Sequence, residues 1–224
     1  MAQFYLNPYD ISKSGLYFDS SDVERGVLDL DDALEQAIKG QFEEYSVELI
    51  DAPLKEAEVW QAVTLHHGDS YPAIRVWLEV LEEDDYDLPG VYWAMSDKGF
   101  SEVDEAKTYG EDAMVREGTI RDLADEFIAD DPASWAENYF DYEALARDMA
   151  INQELPEEAY DEDGAQVWSD QEAEEYAEEL VESTGVEGIG NLEYYIDEDK
   201  LARDLGYDYS EFEFGGTTYT AHDH

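Results

Sequence analysis

The chain has no cysteine and few basic residues, with 12 Lys and Arg against 60 Asp and Glu in 224 residues. The lack of cysteine excludes disulfides, thiol nucleophiles and thiolate metal ligands. Nucleic-acid binding rests on clustered Lys and Arg, and anionic membrane surfaces attract the same residues, so the charge argues against both partners. No stretch approaches the ~18 apolar residues of a membrane span, and the N-terminus lacks the features of a secretion signal. We therefore expect a cytoplasmic protein that binds neither nucleic acid nor membrane.

Although its formal net charge is −48, the chain does not have the composition of a disordered tail. Hydrophobic residues make up 43% of the chain and aromatic residues 13%, and both are spread over its whole length. Disorder requires low hydrophobicity together with high net charge. The chain therefore has enough apolar side chains for packed cores, and the self-repulsion of its acidic surface opposes their compaction.

Periodic patterns predict an α+β fold, an elongated chain of small modules in which short antiparallel sheets accompany acidic amphipathic helices. Short apolar and alternating runs predict strands at 3–6, 15–18 and 45–50. Apolar residues at three- and four-residue steps predict helices at 29–40, 54–63 and 74–82. Turn-forming residues predict loops at 66–72 and 84–90. The segment 91–95 fits a strand and a buried helix equally well.

Capping patterns mark two helices in the second half of the chain. Thr119 and Asp122 form a capping pair ahead of one helix, and Ser169 with Glu172 forms a capping box ahead of the other. The apolar faces are Ile120, Leu123, Phe127 and Ile128 in the first helix, and Ala173, Tyr176, Ala177, Leu180 and Val181 in the second. Gly185 lies just past the second helix, and alternating residues around Gly215-Gly216 predict a C-terminal β-hairpin.

One segment of the chain occurs twice, at 137–149 and 193–205. Both copies contain Glu, Tyr, Asp and Leu-Ala-Arg-Asp in the same order, and an acidic amphipathic segment precedes each copy. This repeat indicates a duplicated unit of an acidic helix, a loop, an aromatic lead-in and a second helix. We divide the chain into a small α+β module (1–52), a mainly helical module (53–118), a first motif module (119–168) and a second motif module that ends in the hairpin (169–224).

The repeated segment resembles a motif of the ArdA antirestriction proteins of plasmids and transposons, Tyr-x-Asp-Tyr-Glu-Ala-x-Ala-Arg-Asp-Leu. Residues 138–149 match this pattern best. The second copy keeps Tyr195, Asp197 and 202–205 but has Glu-Asp-Lys in place of the Tyr-Glu-Ala of the first copy. The aromatic runs at 3–6 and 15–19 are similar to the family's opening strands. Two copies of the motif depart from the single copy expected for the family, so one copy belongs to a duplicated module.

The resemblance implies an acidic mimic of double-stranded DNA that inhibits type I restriction-modification enzymes of the host cell. Such a protein would occupy the basic DNA-binding groove of its target without a cofactor, and would form an elongated homodimer. Another DNA-binding defence system, such as CRISPR, is an alternative target. A protein of another class, with an acidic surface adapted to high salt, would fit the composition but not the repeated motif.

The carboxylates of the two motif copies and of the helix that begins at Asp170 are the candidate target-binding groups. They are Asp141, Glu143, Asp148, Glu174, Glu175, Glu178, Glu179, Glu182, Asp197, Glu198, Asp199 and Asp204. The other characteristic motif residues are Tyr139, Tyr142, Arg147, Tyr195 and Arg203. An alternative, purely structural interpretation is that Asp141 and Asp197 cap helices and that each Arg pairs with neighbouring carboxylates.

Metal binding and catalysis find little support in the sequence. A calcium loop with Gly164 at its sixth position would need a carboxylate at the first, which is Ala159. The pairs His66-His67 and His222/His224 lack the spacing of a metal site on a rigid scaffold. Neither a Gly-rich phosphate loop nor a nucleophile elbow occurs. We expect a binding protein and not an enzyme.

Overall fold

The computed structural model of the chain describes residues 2–9, 15–20, 45–82, 87–130 and 135–222. In these residues, helices accompany two three-stranded antiparallel sheets, which confirms the predicted α+β class. The chain divides into two compact units: unit 1 is Met1–Glu117 with Ser210–His224, and unit 2 is Gly118–Tyr209. The helix predicted at 29–40 lies outside the described residues, and the division into four modules stays a prediction.

Unit 1 begins with a sheet in which β1 (Gln3–Pro8) lies between β2 (Leu16–Asp19) and β3 (Tyr45–Asp51). Both pairings are antiparallel. Phe4 and Leu6 of β1 are buried, because alternate residues of a strand point to the same face. The three predicted strands are therefore confirmed.

In the described residues of unit 1, the sheet is followed by α1 (Leu54–His67), α2 (Tyr71–Leu81), α3 (Leu88–Ser96) and α4 (Val103–Asp112). Trp60 of α1 and Trp77 of α2 meet the ring of Phe4 edge-on, at centroid distances of 5.2 and 5.0 Å. Aromatic pairs favour this geometry, and these rings join the helices to the sheet in one core. The helices predicted at 54–63 and 74–82 are confirmed.

Both predicted loops of unit 1 are too long, because prolines begin helices here. The loop predicted at 66–72 is limited to 68–70, since α1 continues through His67 and α2 has Pro72 in its first turn. The loop predicted at 84–90 ends before Leu88, where α3 begins with Pro89 in its first turn. A proline at that place loses no helical hydrogen bond. The segment 91–95, for which the sequence fits a strand and a helix equally well, is helical.

Helix α4 was not predicted, because its buried side consists of small residues with little periodic signal. Val103, Ala106 and Gly110 form this side. A Cβ added to Gly110 would lie 2.6 Å from the carbonyl carbon of Gly90 in α3. The two helices therefore approach at a backbone contact that only glycine permits at these positions.

The second sheet has the order β4-β6-β5, from β4 (Arg116–Glu117), β5 (Tyr209–Phe214) and β6 (Thr217–His222). The predicted C-terminal hairpin is confirmed, and Gly215 and Gly216 turn it with φ angles of +61° and +79°. The short strand β4 was not predicted, since its pairing with β6 joins residues far apart in the chain.

Unit 2 contains α5 (Ile120–Asp130), α6 (Tyr142–Asn152), α7 (Asp170–Thr184) and α8 (Glu198–Leu205). Helix α6 packs against α7, and α5 packs against α8. The caps predicted for α5 and α7 are both formed. A search of the described helices for one that could cross a membrane finds none.

Candidate functional site

The two motif copies have the same local structure. Each begins with a 3-10 turn, Ala136–Asn138 in the first copy and Leu192–Tyr195 in the second. Asp141 then caps α6 by accepting a hydrogen bond from the Ala144 N–H at 2.9 Å. Asp197 caps α8 by accepting one from Lys200 at the same distance. The alternative prediction that these aspartates cap helices is confirmed.

The copies contact each other through equivalent backbone atoms. Phe140 and Ile196 form an isolated antiparallel bridge. The N–H of Asp141 donates to the carbonyl of Tyr195 at 2.7 Å, and the N–H of Asp197 donates to the carbonyl of Tyr139 at 2.7 Å. Each copy therefore supplies the same donor and the same acceptor to the other.

The same reciprocity holds for side chains at the motif. The hydroxyl of Tyr195 donates to Asp148 at 3.1 Å, and the hydroxyl of Tyr139 lies near Asp204, the equivalent carboxylate of the other copy. Partial burial, and after it the neighbouring carboxylate, raises the pKa of both tyrosines. Because a neutral hydroxyl can donate to a carboxylate, these pairs fit the protonated form of the tyrosines.

The motif helix of each copy packs on the acidic helix that precedes the other copy. Helix α6 of the first copy packs on α7, which precedes the second copy, and α8 of the second copy packs on α5, which precedes the first. Leu145 and Leu201, at the same motif position, are both buried. One repeat is therefore not a self-contained fold in unit 2, and the two repeats interlock.

Basic residues of unit 2 pair with several of the candidate carboxylates. Arg147 donates to Glu143 at 2.6 Å, one helical turn away, and Arg203 donates to Asp204 at 3.4 Å. Arg121 of α5 binds Glu198 and, at 2.6 Å, Asp199. The hydrogen bond to Glu198 is the largest of the effects that raise the pKa of Arg121. These contacts confirm that the motif arginines pair with neighbouring carboxylates.

Two cations near the motif were missed by the sequence analysis, because their partners are distant in the chain. Arg121 is one, with partners 77 and 78 positions away. Lys200 is the other: its Nζ donates to the Asn138 carbonyl at 2.6 Å and lies 5.6 Å from the centre of the Tyr139 ring. Tyr142, a predicted motif residue, packs its ring 5.0 Å from Phe140.

Helix α7 presents a continuous acidic face. Ala173, Ala177 and Val181 are buried on one side, and the exposed side carries the five predicted glutamates, Glu174, Glu175, Glu178, Glu179 and Glu182. Glu175 accepts a hydrogen bond from Gln171 at 2.9 Å. The side chains of the other four make no hydrogen bond or ion pair with any described residue. This face is therefore a row of carboxylates without a neutralising cation in the described structure.

Of the candidate metal residues, His66, His67 and Asp161 have other partners, and His224 lies outside the described residues. His66 Nε2 lies 2.8 Å from the Met95 carbonyl and His67 Nε2 lies 2.9 Å from the Ser101 carbonyl. A carbonyl only accepts, so each Nε2 carries a proton and donates. Asp161 accepts from the N–H groups of Asp163 and Ala165 and closes a turn. Among the residues that the structure describes, no three metal-ligating side chains form a group.

No protein-family model, curated protein or solved structure matches the chain. The resemblance of residues 138–149 to the ArdA motif therefore stays a prediction.

Proposed function

We propose that this protein is a DNA-mimic inhibitor that occupies the basic DNA-binding groove of a type I restriction-modification enzyme. The observation that carries the proposal is the outward face of α7, where four glutamates lie exposed without a described partner. The DNA-binding groove of the enzyme, when no DNA is bound, carries the positive charge that neutralises these glutamates. The choice of a type I restriction-modification enzyme as the target is based on the resemblance of the motif to that of the ArdA proteins.

The acidic face disfavours the helix on which it lies, so stability gives no reason for it. Glu174, Glu178 and Glu182 follow one another at four-residue steps, and like charges at this spacing cost about 0.2 to 0.5 kcal/mol per pair. An interspersed lysine would remove the repulsion. Helix α7 contains none, and the chain has no basic residue between Arg147 and Lys200. Selection for a binding surface accounts for this pattern.

The density of charge is comparable with that of DNA. Successive carboxylates of one row on α7 lie about 6 Å apart along the helix axis, and a DNA strand carries a phosphate every ~3.4 Å. Two rows side by side therefore approach the charge density of one strand. Unit 2 as a whole has 29 Asp and Glu residues against four Lys and Arg. The net charge of the chain, −48, equals the phosphate charge of about 24 base pairs.

The mechanism under this proposal is occupancy. Complementary charge steers the inhibitor to the groove and raises the association rate, and the bound inhibitor excludes DNA by volume. The inhibitor undergoes no reaction. It forms a stoichiometric complex and leaves the complex unchanged.

Titration against a purified type I restriction-modification enzyme tests the proposal. We expect inhibition to be complete at a fixed stoichiometric ratio of inhibitor to enzyme, to be relieved by excess duplex DNA, and to return an inhibitor of unchanged mass. Inhibition at far below one chain per enzyme would contradict occupancy and indicate catalysis. If the protein inhibits another DNA-binding defence complex but not this enzyme, the proposed target is wrong and the proposal of DNA mimicry stands.

A further inference from the structure

The reciprocal contacts between the motif copies are those of a two-fold interface. In an isologous contact, residue i of one copy touches residue j of the other, and j touches i. The backbone pairs that join Tyr139–Asp197 and Tyr195–Asp141 obey this rule, with both distances at 2.7 Å. The two tyrosines also lie beside equivalent aspartates, Tyr195 beside Asp148 and Tyr139 beside Asp204. Unit 2 is therefore built as a dimer of one repeat within a single chain.

The acidic helices follow the same symmetry. Helices α5 and α7 precede the two copies, and each packs on the motif helix of the other copy. When the acidic segment 121–130 is aligned with 174–183, the buried alanines Ala124 and Ala177 occupy the same position. In this alignment two exposed pairs correspond: Asp125 with Glu178, and Glu126 with Glu179.

From this geometry we infer that α5 and α7 are two equivalent contact surfaces, and that the partner carries two basic DNA-binding sites related by a two-fold axis. The inference rests on the proposed function and adds the symmetry of the partner. Proteins with two-fold symmetry read DNA half-sites that are related by the same axis. A mimic with its own two-fold repeat matches such a protein at both sites at once, and a single chain supplies both contacts.

Matched double substitutions in the two helices test the inference. One variant carries Asp125→Asn and Glu126→Gln in α5, and a second carries Glu178→Gln and Glu179→Gln in α7. The control carries Glu157→Gln and Glu158→Gln, which removes the same charge from exposed residues of unit 2 outside both helices. Affinity for a purified type I restriction-modification enzyme is measured by calorimetry, which also gives the stoichiometry, and thermal unfolding checks that each variant is folded.

We expect each helix variant to weaken binding by a similar factor, about fivefold, as for the loss of two exposed interfacial charges. The combined variant should lose the product of the two factors, since the effects of independent sites are additive. The control should bind with an affinity within about twofold of that of the unchanged chain. One chain should saturate one pair of DNA-binding sites that are related by the two-fold axis.

The outcomes separate this inference from the proposed function. If the α7 variant loses affinity and the α5 variant matches the control, the partner reads one copy only, and the inference is overturned while the mimicry stands. Two chains bound per two-fold site would also overturn it. If neither helix variant differs from the control, or if the enzyme is not bound, the proposed function fails and the inference fails with it.

Discussion

At the scale of single residues, two tyrosines join the repeats of unit 2. Tyr195 and Tyr139 occupy the same motif position. Tyr195 donates a hydrogen bond to Asp148, and Tyr139 lies near Asp204, which occupies the motif position of Asp148. Neither carboxylate is then simply a free acidic group for a partner. The motif therefore contains a structural contact within an acidic surface. We expect a conservative substitution of either tyrosine to reduce stability more than binding.

We predict that Tyr195→Phe lowers the free energy of unfolding by about 1 kcal/mol, the usual net contribution of one hydrogen bond, and that Tyr139→Phe lowers it by less. The ring is kept, so packing is unchanged and the effect reports the hydroxyl. Urea unfolding followed by circular dichroism measures it. The matched control is Tyr194→Phe, whose side chain is 75% exposed and which should leave stability unchanged. Equal losses in all three variants would show that the paired hydroxyls contribute nothing specific.

At the scale of elements, α7 separates the demands of folding and binding onto two faces. The capping box at Ser169 and Glu172 and the buried alanines stabilise the helix. Hydrogen bonds from Ser169 hold the pKa of Glu172 below its usual value, so this carboxylate stays ionised in its cap. The outward glutamates oppose the helix and take no part in the cap.

We predict that Glu174→Gln, Glu178→Gln and Glu182→Gln together leave the melting temperature unchanged or raise it, because two repulsive pairs are removed. The same variant should bind the target enzyme more weakly. Calorimetric unfolding and a competition assay with duplex DNA measure the two effects. The control, Glu157→Gln, Glu158→Gln and Glu162→Gln, removes equal charge from exposed positions away from the row. A lower melting temperature with unchanged binding would make the row structural.

At the scale of the whole molecule, the charge of −48 affects folding and binding in opposite ways. Repulsion among the carboxylates opposes compaction, whereas their summed field attracts a basic partner. Salt screens both interactions, and the Debye length falls from about 10 Å at 0.1 M to about 3 Å at 1 M. Stability and affinity should therefore respond to salt with opposite signs.

We predict that between 50 and 500 mM salt (roughly a threefold change in Debye length) the affinity for the enzyme falls while the melting temperature rises. The affinity of duplex DNA for the same enzyme should fall more steeply, because DNA releases condensed counterions that a folded acidic surface does not hold. Parallel titrations of both ligands measure the slopes. An affinity independent of salt would assign recognition to apolar contacts, and unfolding at low salt would favour an acidic protein adapted to high salt.

Much of the fold could be predicted where the signal lies within a few residues. The capping box of α7, the Asp caps of the motif helices and the Gly215-Gly216 hairpin depend on hydrogen bonds between near neighbours. Helix α4 and strand β4 could not be predicted, since the first packs through glycines and the second is only two residues long and pairs with a distant strand. Local chemistry is readable in a sequence, whereas these elements exist through their neighbours.

The sequence by itself determined the acidic charge, the α+β class, the repeat and the outward row of glutamates on α7, because composition and helical periodicity are properties of the chain alone. Only the tertiary structure decided that the two copies pair with each other, and which carboxylates have cations beside them. Tyr195 and Asp148 lie 47 positions apart, and Arg121 and Glu198 lie 77 apart. No local pattern encodes such contacts, because they arise when two amphipathic repeats bury their apolar faces against each other.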